Sequence, residues 1–92
     1  MALTLRPVKT ETSEHNTAIG NHALYSNTTA DYNTAIGHSA LYTNNTGYNN
    51  IAIGYKALYS NTSGYYNVAS GYGALYTNTS GEQIASNQLT HN

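Results

Sequence analysis

The sequence predicts an all-β chain folded as a parallel β-solenoid, or β-roll, of about four to five coils of 17 residues. The first observation is the motif Asn-Thr-Ala-Ile-Gly at residues 16–20, which returns in closely related form at 33–37, 50–54 and 67–71. The second is Ala-Leu-Tyr at a fixed distance after each copy, and the third is a closing turn of Asn, Thr, Ser and Gly. Tandem identity at a short period is typical of stacked equivalent units rather than of a globule.

Residues 1–15 precede the repeats and form an N-terminal strand and connector. Leu3 and Leu5 alternate with polar residues, as in a short strand, and Pro7 ends that pattern. We expect this region to act either as a cap on its own chain or as a donor strand that pairs with a neighbouring copy.

Residues 16–92 form the predicted repeat domain, whose last coil is incomplete. Residues 84–87 match residues 68–71 with one residue deleted. Because every copy has the same direction and the same turn, identical residues stack best as parallel strands, about 4.8 Å apart. Two short strands are predicted in each coil, near 17–19 and 23–26, with a glycine corner between them. Ile19, Leu24 and their counterparts are expected to fill a thin interior.

Tyrosines recur at two places in the unit and should form two columns. A functional interpretation is a strip that binds carbohydrate or protein, and a structural one is packing between coils. We favour packing for the first column and an exposed position or subunit interface for the second. The first column contains Tyr25, Tyr42, Tyr59 and Tyr76, and the second contains Tyr32, Tyr48 and Tyr65.

An Asn-x-Thr/Ser sequence begins at the same place in each coil and is a candidate N-glycosylation site. The alternative, which we favour, is a ladder of asparagine side chains or a turn in which each side chain bonds its own backbone. The four candidate residues are Asn27, Asn44, Asn61 and Asn78.

Composition excludes several functional classes. Only 8% of the residues are charged and the net charge is −1, so the basic patch of a nucleic-acid-binding protein is missing. No apolar run approaches the roughly 20 residues of a membrane helix, and the first residues lack a secretory signal. There is no cysteine, histidines do not recur at one coil position, and no carboxylates pair. We therefore expect no metal, no cofactor and no enzymatic activity.

The motif at Ala18, Ile19, Gly20 and their counterparts resembles the Asn-Ser-Val-Ala-Ile-Gly repeat of YadA-type trimeric autotransporter adhesin heads. The longer unit resembles repeats of phage tail fibres and large surface proteins. The resemblance covers residues 16–81 and extends weakly to about residue 89. It implies a left-handed parallel β-roll that assembles as a trimer. A 17-residue unit is longer than the adhesin repeat, which implies an enlarged second corner.

Together these patterns predict a structural subunit of an extracellular, cell-surface or virion fibre, with another copy of itself as partner. Stacking and N-terminal strand donation would assemble it. One alternative is a trimeric adhesin head that binds surface glycans or a host surface. A second is an ice-binding solenoid, although Ile51 and Val68 interrupt the column begun by Thr17 and Thr34.

Overall fold

The computed structural model describes residues 15–82 and the strand Ile84–Ser86, so Leu3 and Leu5 lie outside the described residues. The described chain is all-β, with no helix and five strands in one sheet. None of its segments is therefore a helix with the length and hydropathy to cross a membrane. The strands are β1 (Thr17–Ile19), β2 (Thr34–Ile36), β3 (Ile51–Ile53), β4 (Val68–Ser70) and β5 (Ile84–Ser86).

Each strand pairs in parallel with the next one along the chain, in the order β1-β2-β3-β4-β5. Ala18 lies opposite Ala35, and Ala35 opposite Ala52, so like residues lie over one another. Ala69 lies opposite Ala85. These two residues are 16 positions apart in sequence, whereas the partners in the earlier pairs are 17 apart. The expected parallel stacking is confirmed, and the deletion before the last strand leaves the register intact.

The prediction of a second strand in each repeat, near residues 23–26, is wrong. Each described repeat has a single three-residue strand, and the Ala-Leu-Tyr segment turns instead. Leu24, Leu41 and Leu58 have φ of 53°, and Leu75 has φ of 54°, in the left-handed region that a strand cannot include. This conformation costs a leucine roughly 1–2 kcal/mol. Burial of the leucine side chain stabilises the fold by about 1.5–3 kcal/mol, which offsets the cost of the left-handed backbone.

A glycine corner follows the strand, as the sequence predicts. Gly37 has φ of 131°, and a Cβ placed there would lie 2.7 Å from the carbonyl oxygen of Gly54 in the next repeat. Neither the dihedral angle nor the space admits a side chain. Glycine therefore allows successive backbones to approach closely at this corner.

The interior is narrower than the sequence suggests, and the prediction that Ile19 and its counterparts fill it is wrong. The middle residue of each strand faces inward, so that Ala35 and Ala52 are fully buried while Ile53 is 42% exposed. A three-residue strand points its first and last side chains to the opposite face from its middle one. Leucine burial is confirmed. The buried apolar core consists of Ala18, Ala35, Ala52, Ala69, Ala23, Ala40, Ala57, Ala74, Leu24, Leu41, Leu58 and Leu75.

Candidate functional site

Two ladders of asparagine side chains run through the interior, and the first, the turn ladder, follows the closing turns. The Nδ2 of Asn44 donates to the Oδ1 of Asn27 over 3.0 Å, and the Nδ2 of Asn61 donates to the Oδ1 of Asn44 over 2.8 Å. The Nδ2 of Asn78 continues the series to the Oδ1 of Asn61 at 3.0 Å. The turn ladder thus consists of Asn27, Asn44, Asn61 and Asn78, all of which are buried.

Each side chain of the turn ladder also closes its own turn. The Nδ2 of Asn44 donates to the carbonyl of Gly47 at 3.0 Å, and that of Asn61 donates to the carbonyl of Gly64 at 3.1 Å. A buried polar group without a partner costs about 1–3 kcal/mol, so burial of these amides depends on their hydrogen bonds. Every buried side-chain nitrogen and oxygen in the described part of the chain has such a partner.

The turn ladder contains the four candidate N-glycosylation residues. Asn44 and Asn61 are 0% exposed, and the Nδ2 of each already donates two hydrogen bonds. A glycan would have to be attached at this nitrogen. The folded geometry therefore supports the ladder interpretation, and glycosylation stays a prediction for which the folded chain offers no accessible atom.

A second ladder, the strand ladder, lies immediately before the strands. The Oδ1 of Asn33 accepts the backbone N–H of Asn50 at 3.0 Å and its Nδ2 at 3.1 Å, and Asn50 accepts the same two donors from Asn67. The Nδ2 of Asn33 also donates to the carbonyl of Gly47 at 2.9 Å, which joins strand to turn. No role was predicted for this asparagine, although its return before every strand was a signal in the sequence. The strand ladder consists of Asn33, Asn50 and Asn67, and Asn16 extends it by accepting the backbone N–H of Asn33 at 2.9 Å.

On the outside, the tyrosines of the Ala-Leu-Tyr segments stack into one row, which we call the ALY row. Ring centroids are 5.0 Å apart for Tyr25 and Tyr42, 5.1 Å for Tyr42 and Tyr59, and 5.0 Å for Tyr59 and Tyr76. The rings are nearly parallel, within 11° of each other. The first predicted column therefore lies along the stack, with its rings partly exposed.

A second aromatic row, which was not predicted from the sequence, lies beside the glycine corner. The rings of His38 and Tyr55 are 5.4 Å apart, and those of Tyr55 and Tyr72 are 5.0 Å apart. We call these three residues the corner row. Asn21 holds the equivalent position in the first repeat, so three of the four copies carry a ring there. Ring shape, which His and Tyr share, was the signal.

The second predicted column is divided between two rows. Tyr48 stacks on Tyr65 with centroids 5.0 Å apart, but Tyr32 stacks on His15 at 4.7 Å. The reason is arithmetic: Tyr32 and Tyr48 are 16 residues apart, whereas equivalent positions in these repeats are 17 apart. Tyr32 therefore occupies the row of Tyr66, whose ring meets those of Tyr48 and Tyr65 edge-on.

Charged groups sit beside these rows. The ammonium nitrogen of Lys56 lies 5.3 Å from the ring centroid of Tyr55 and 5.2 Å from that of Tyr59, so it bridges the corner row and the ALY row. The electrostatic interaction with Tyr55 is the largest of the causes that raise the pKa of Lys56. Glu82 accepts a hydrogen bond from the Tyr65 hydroxyl and raises the pKa of that phenol.

A cleft of about 300 Å³ opens between the two aromatic rows in the fourth repeat. Its position follows from Gly73. The equivalent places in the earlier repeats hold His22, Ser39 and Lys56, whose φ values of 67°, 60° and 56° are close to the 63° of Gly73. The backbone is thus unchanged and only a side chain is missing. The cleft is lined by Tyr55, Lys56, Tyr72, Gly73 and Tyr76.

In residues 15–82 no three histidine or carboxylate side chains converge in a way that could hold a metal ion. His15 and Asp31 form a pair, with Nδ1 and Oδ1 3.4 Å apart.

Comparison with known proteins gives no matching family model, no matching curated protein and no matching solved structure.

Proposed function

We propose that the chain is a structural subunit of a fibre or filament, in which the 17-residue repeats wind as a parallel β-solenoid of four to five coils. The resemblance to adhesin heads and tail-fibre repeats suggests an extracellular, cell-surface or virion location. The partner in this proposal is another copy of the chain, and the role is mechanical rather than enzymatic.

The observation that carries the proposal is that bonds between repeats all run along one axis. The backbone N–H of Leu41 donates to the carbonyl of Ala57 at 2.9 Å, and that of Leu58 donates to Ala74 at 2.9 Å. The asparagine ladders and the ALY row repeat along the same direction. Ladders of this kind resist both stretching and bending, which suits a shaft.

The outward face of the sheet supports self-association. Its side chains are uncharged, and Ile51, Ile53 and Val68 are exposed there. Apolar surface without charges is typical of subunit interfaces, whose buried core is depleted in charged residues. This face suits lateral contact between copies, including the trimer that the resemblance implies.

Lengthwise assembly in this proposal uses the N-terminal strand. Residues 1–9, with Leu3 and Leu5, would add to the sheet of a neighbouring copy beside its last strand, β5. Such a contact joins different surfaces of the two copies and does not close, so it builds a filament.

The test is electron microscopy of the purified chain beside a variant that lacks residues 1–9. We expect filaments from the full chain and short particles from the deletion variant. Filaments from both would reject strand donation while leaving axial stacking in place. Dispersed monomers of the full chain at micromolar concentration would reject the fibre function altogether.

A second candidate function is a head that binds glycans, alone or as a trimer. The observation that favours it is the exposure of the corner row, where Tyr55 is 40% and Tyr72 is 67% exposed. Tyrosine offers a large apolar ring and a hydroxyl on the same rigid side chain. A glycan array separates the candidates, because a shaft without a receptor function should bind no sugar.

A further inference from the structure

The cleft of the fourth repeat has the components of a small-molecule site. Ligand sites are concave, largely aromatic or apolar, and carry a few polar groups that fix orientation. Here the rings of Tyr55, Tyr72 and Tyr76 supply the walls, and Lys56 supplies a charge at one side. A volume of about 300 Å³ lies at the small end of ligand sites and suits one sugar ring.

Lys56 gives the cleft a positive charge. It is the single lysine or arginine in residues 15–82, and none of the carboxylates described there pairs with it. Its ammonium group is held between two tyrosine rings rather than neutralised. An anion that enters the cleft would therefore form its first ion pair with Lys56.

The tyrosine rows add a second requirement. The rings present C–H edges and faces together with hydroxyl groups, so the ligand must have both apolar and hydrogen-bonding surfaces. A pyranose ring meets this demand, since its axial C–H bonds form apolar faces and its hydroxyls lie at the rim. Inorganic anions lack the apolar faces, and neutral sugars lack the charge.

We infer that the cleft formed by Tyr55, Lys56, Tyr72, Gly73 and Tyr76 binds an acidic sugar residue, such as a uronic acid, within a surface glycan. The carboxylate pairs with the ammonium group of Lys56, and the ring lies in the space that Gly73 leaves between Tyr72 and Tyr76. This inference rests on the glycan-binding candidate function. The site is complete within one chain and does not require fibre assembly.

Titration of the full-length chain with methyl glucuronide, followed by the NMR signals of its tyrosine rings, tests the inference. The matched neutral probe is methyl glucoside, and sodium acetate tests for an anion-only site. We expect methyl glucuronide to bind roughly tenfold more tightly than either control, since a charge-assisted hydrogen bond is the main difference from the neutral sugar. Equal binding of the neutral sugar, or of acetate, would overturn the inference.

Two variants locate the site. Gly73→Ser fills the cleft with a residue that Ser39 shows to be compatible with the same backbone, and it should abolish binding of methyl glucuronide. Lys56→Gln should lower its affinity to that of methyl glucoside. Adding His22→Lys to Lys56→Gln restores the chain's lysine count in a repeat without the cleft, and it should not rescue binding. Unchanged circular dichroism shows that each variant is folded, and unchanged affinity in Gly73→Ser would overturn the site.

The outcomes distinguish this site from the broader glycan-binding function. A glycan array on which only neutral glycans bind, with no effect of Gly73→Ser, would leave a glycan-binding head intact and reject the cleft. An array without any bound glycan would reject both. Filament formation is scored separately by electron microscopy and does not enter either result.

Discussion

The interior and the surface of the repeats differ in how much variation they contain. In the four repeats between residues 16 and 82, the inward-facing strand position is always Ala, the corner always Gly, the buried leucine always Leu, and both ladder positions always Asn. The exposed place beside the corner holds Asn21, His38, Tyr55 and Tyr72 in turn. The interior therefore sets the geometry of every repeat, whereas the exposed side chains vary from repeat to repeat.

A cavity in the interior should destabilise the chain more than any other change considered. Leu58→Ala should lower the free energy of unfolding by about 2–5 kcal/mol, because Leu58 is fully buried in a narrow core that cannot collapse around the loss. Ile53→Ala in the same repeat should cost less than about 1 kcal/mol, since Ile53 faces outward. Urea denaturation of both variants measures the difference. Equal losses would contradict the assignment of the two faces.

Breaking the turn ladder should have the next largest effect. Asn44→Ala removes the two hydrogen bonds donated to Asn27 and Gly47 and the one accepted from Asn61, and it should cost about 2–4 kcal/mol through partners left buried and unpaired. Thr46→Ala is the matched control. Thr46 is exposed, so its substitution removes the same Asn-x-Thr sequence and leaves the hydrogen bonds of the ladder in place. Equal losses of thermal stability in the two variants would show that the threonine, and not the asparagine ladder, stabilises the turn.

The smallest effect is expected at the surface, where the interaction between Glu82 and Tyr65 makes stability depend on pH. Glu82 raises the pKa of Tyr65 above its ordinary value of 10.0, so the folded chain holds that proton more tightly than the unfolded chain does. The interaction therefore stabilises the fold below pH 10.0 and is lost as the pH rises through the raised pKa. Glu82→Gln should return the pKa of Tyr65 towards 10.0 in an NMR titration of the ring. Asp31→Asn, in the same row of the first repeat, should leave it unchanged.

Repetition made the parallel register predictable, but it did not reveal which side chains face inward. Side-chain size favoured Ile19 over Ala18 as the core residue, because larger apolar residues gain more from burial. The interior, however, is shared with two asparagine ladders, and little space remains beside the leucines for anything larger than alanine. The missing second strand has a related cause: left-handed leucines follow from tertiary packing and have no signal in local propensity.

The candidate site was partly predictable. The ALY row follows directly from counting 17 residues, and the misplaced Tyr32 shows that the same counting must be strict. The cleft at Gly73 had no comparable signal. It exists because one repeat lacks a side chain where its neighbours have one, and a prediction based on shared residues does not identify a missing side chain.

The asparagine ladders have a directional consequence. Every hydrogen bond between two side-chain amides of the ladders runs from one residue to its counterpart one repeat earlier, as from Asn61 to Asn44 and from Asn67 to Asn50. Amide dipoles aligned in one sense add along the axis, so the two ends of the stack are electrically unlike. A further repeat could continue the series only in the same orientation.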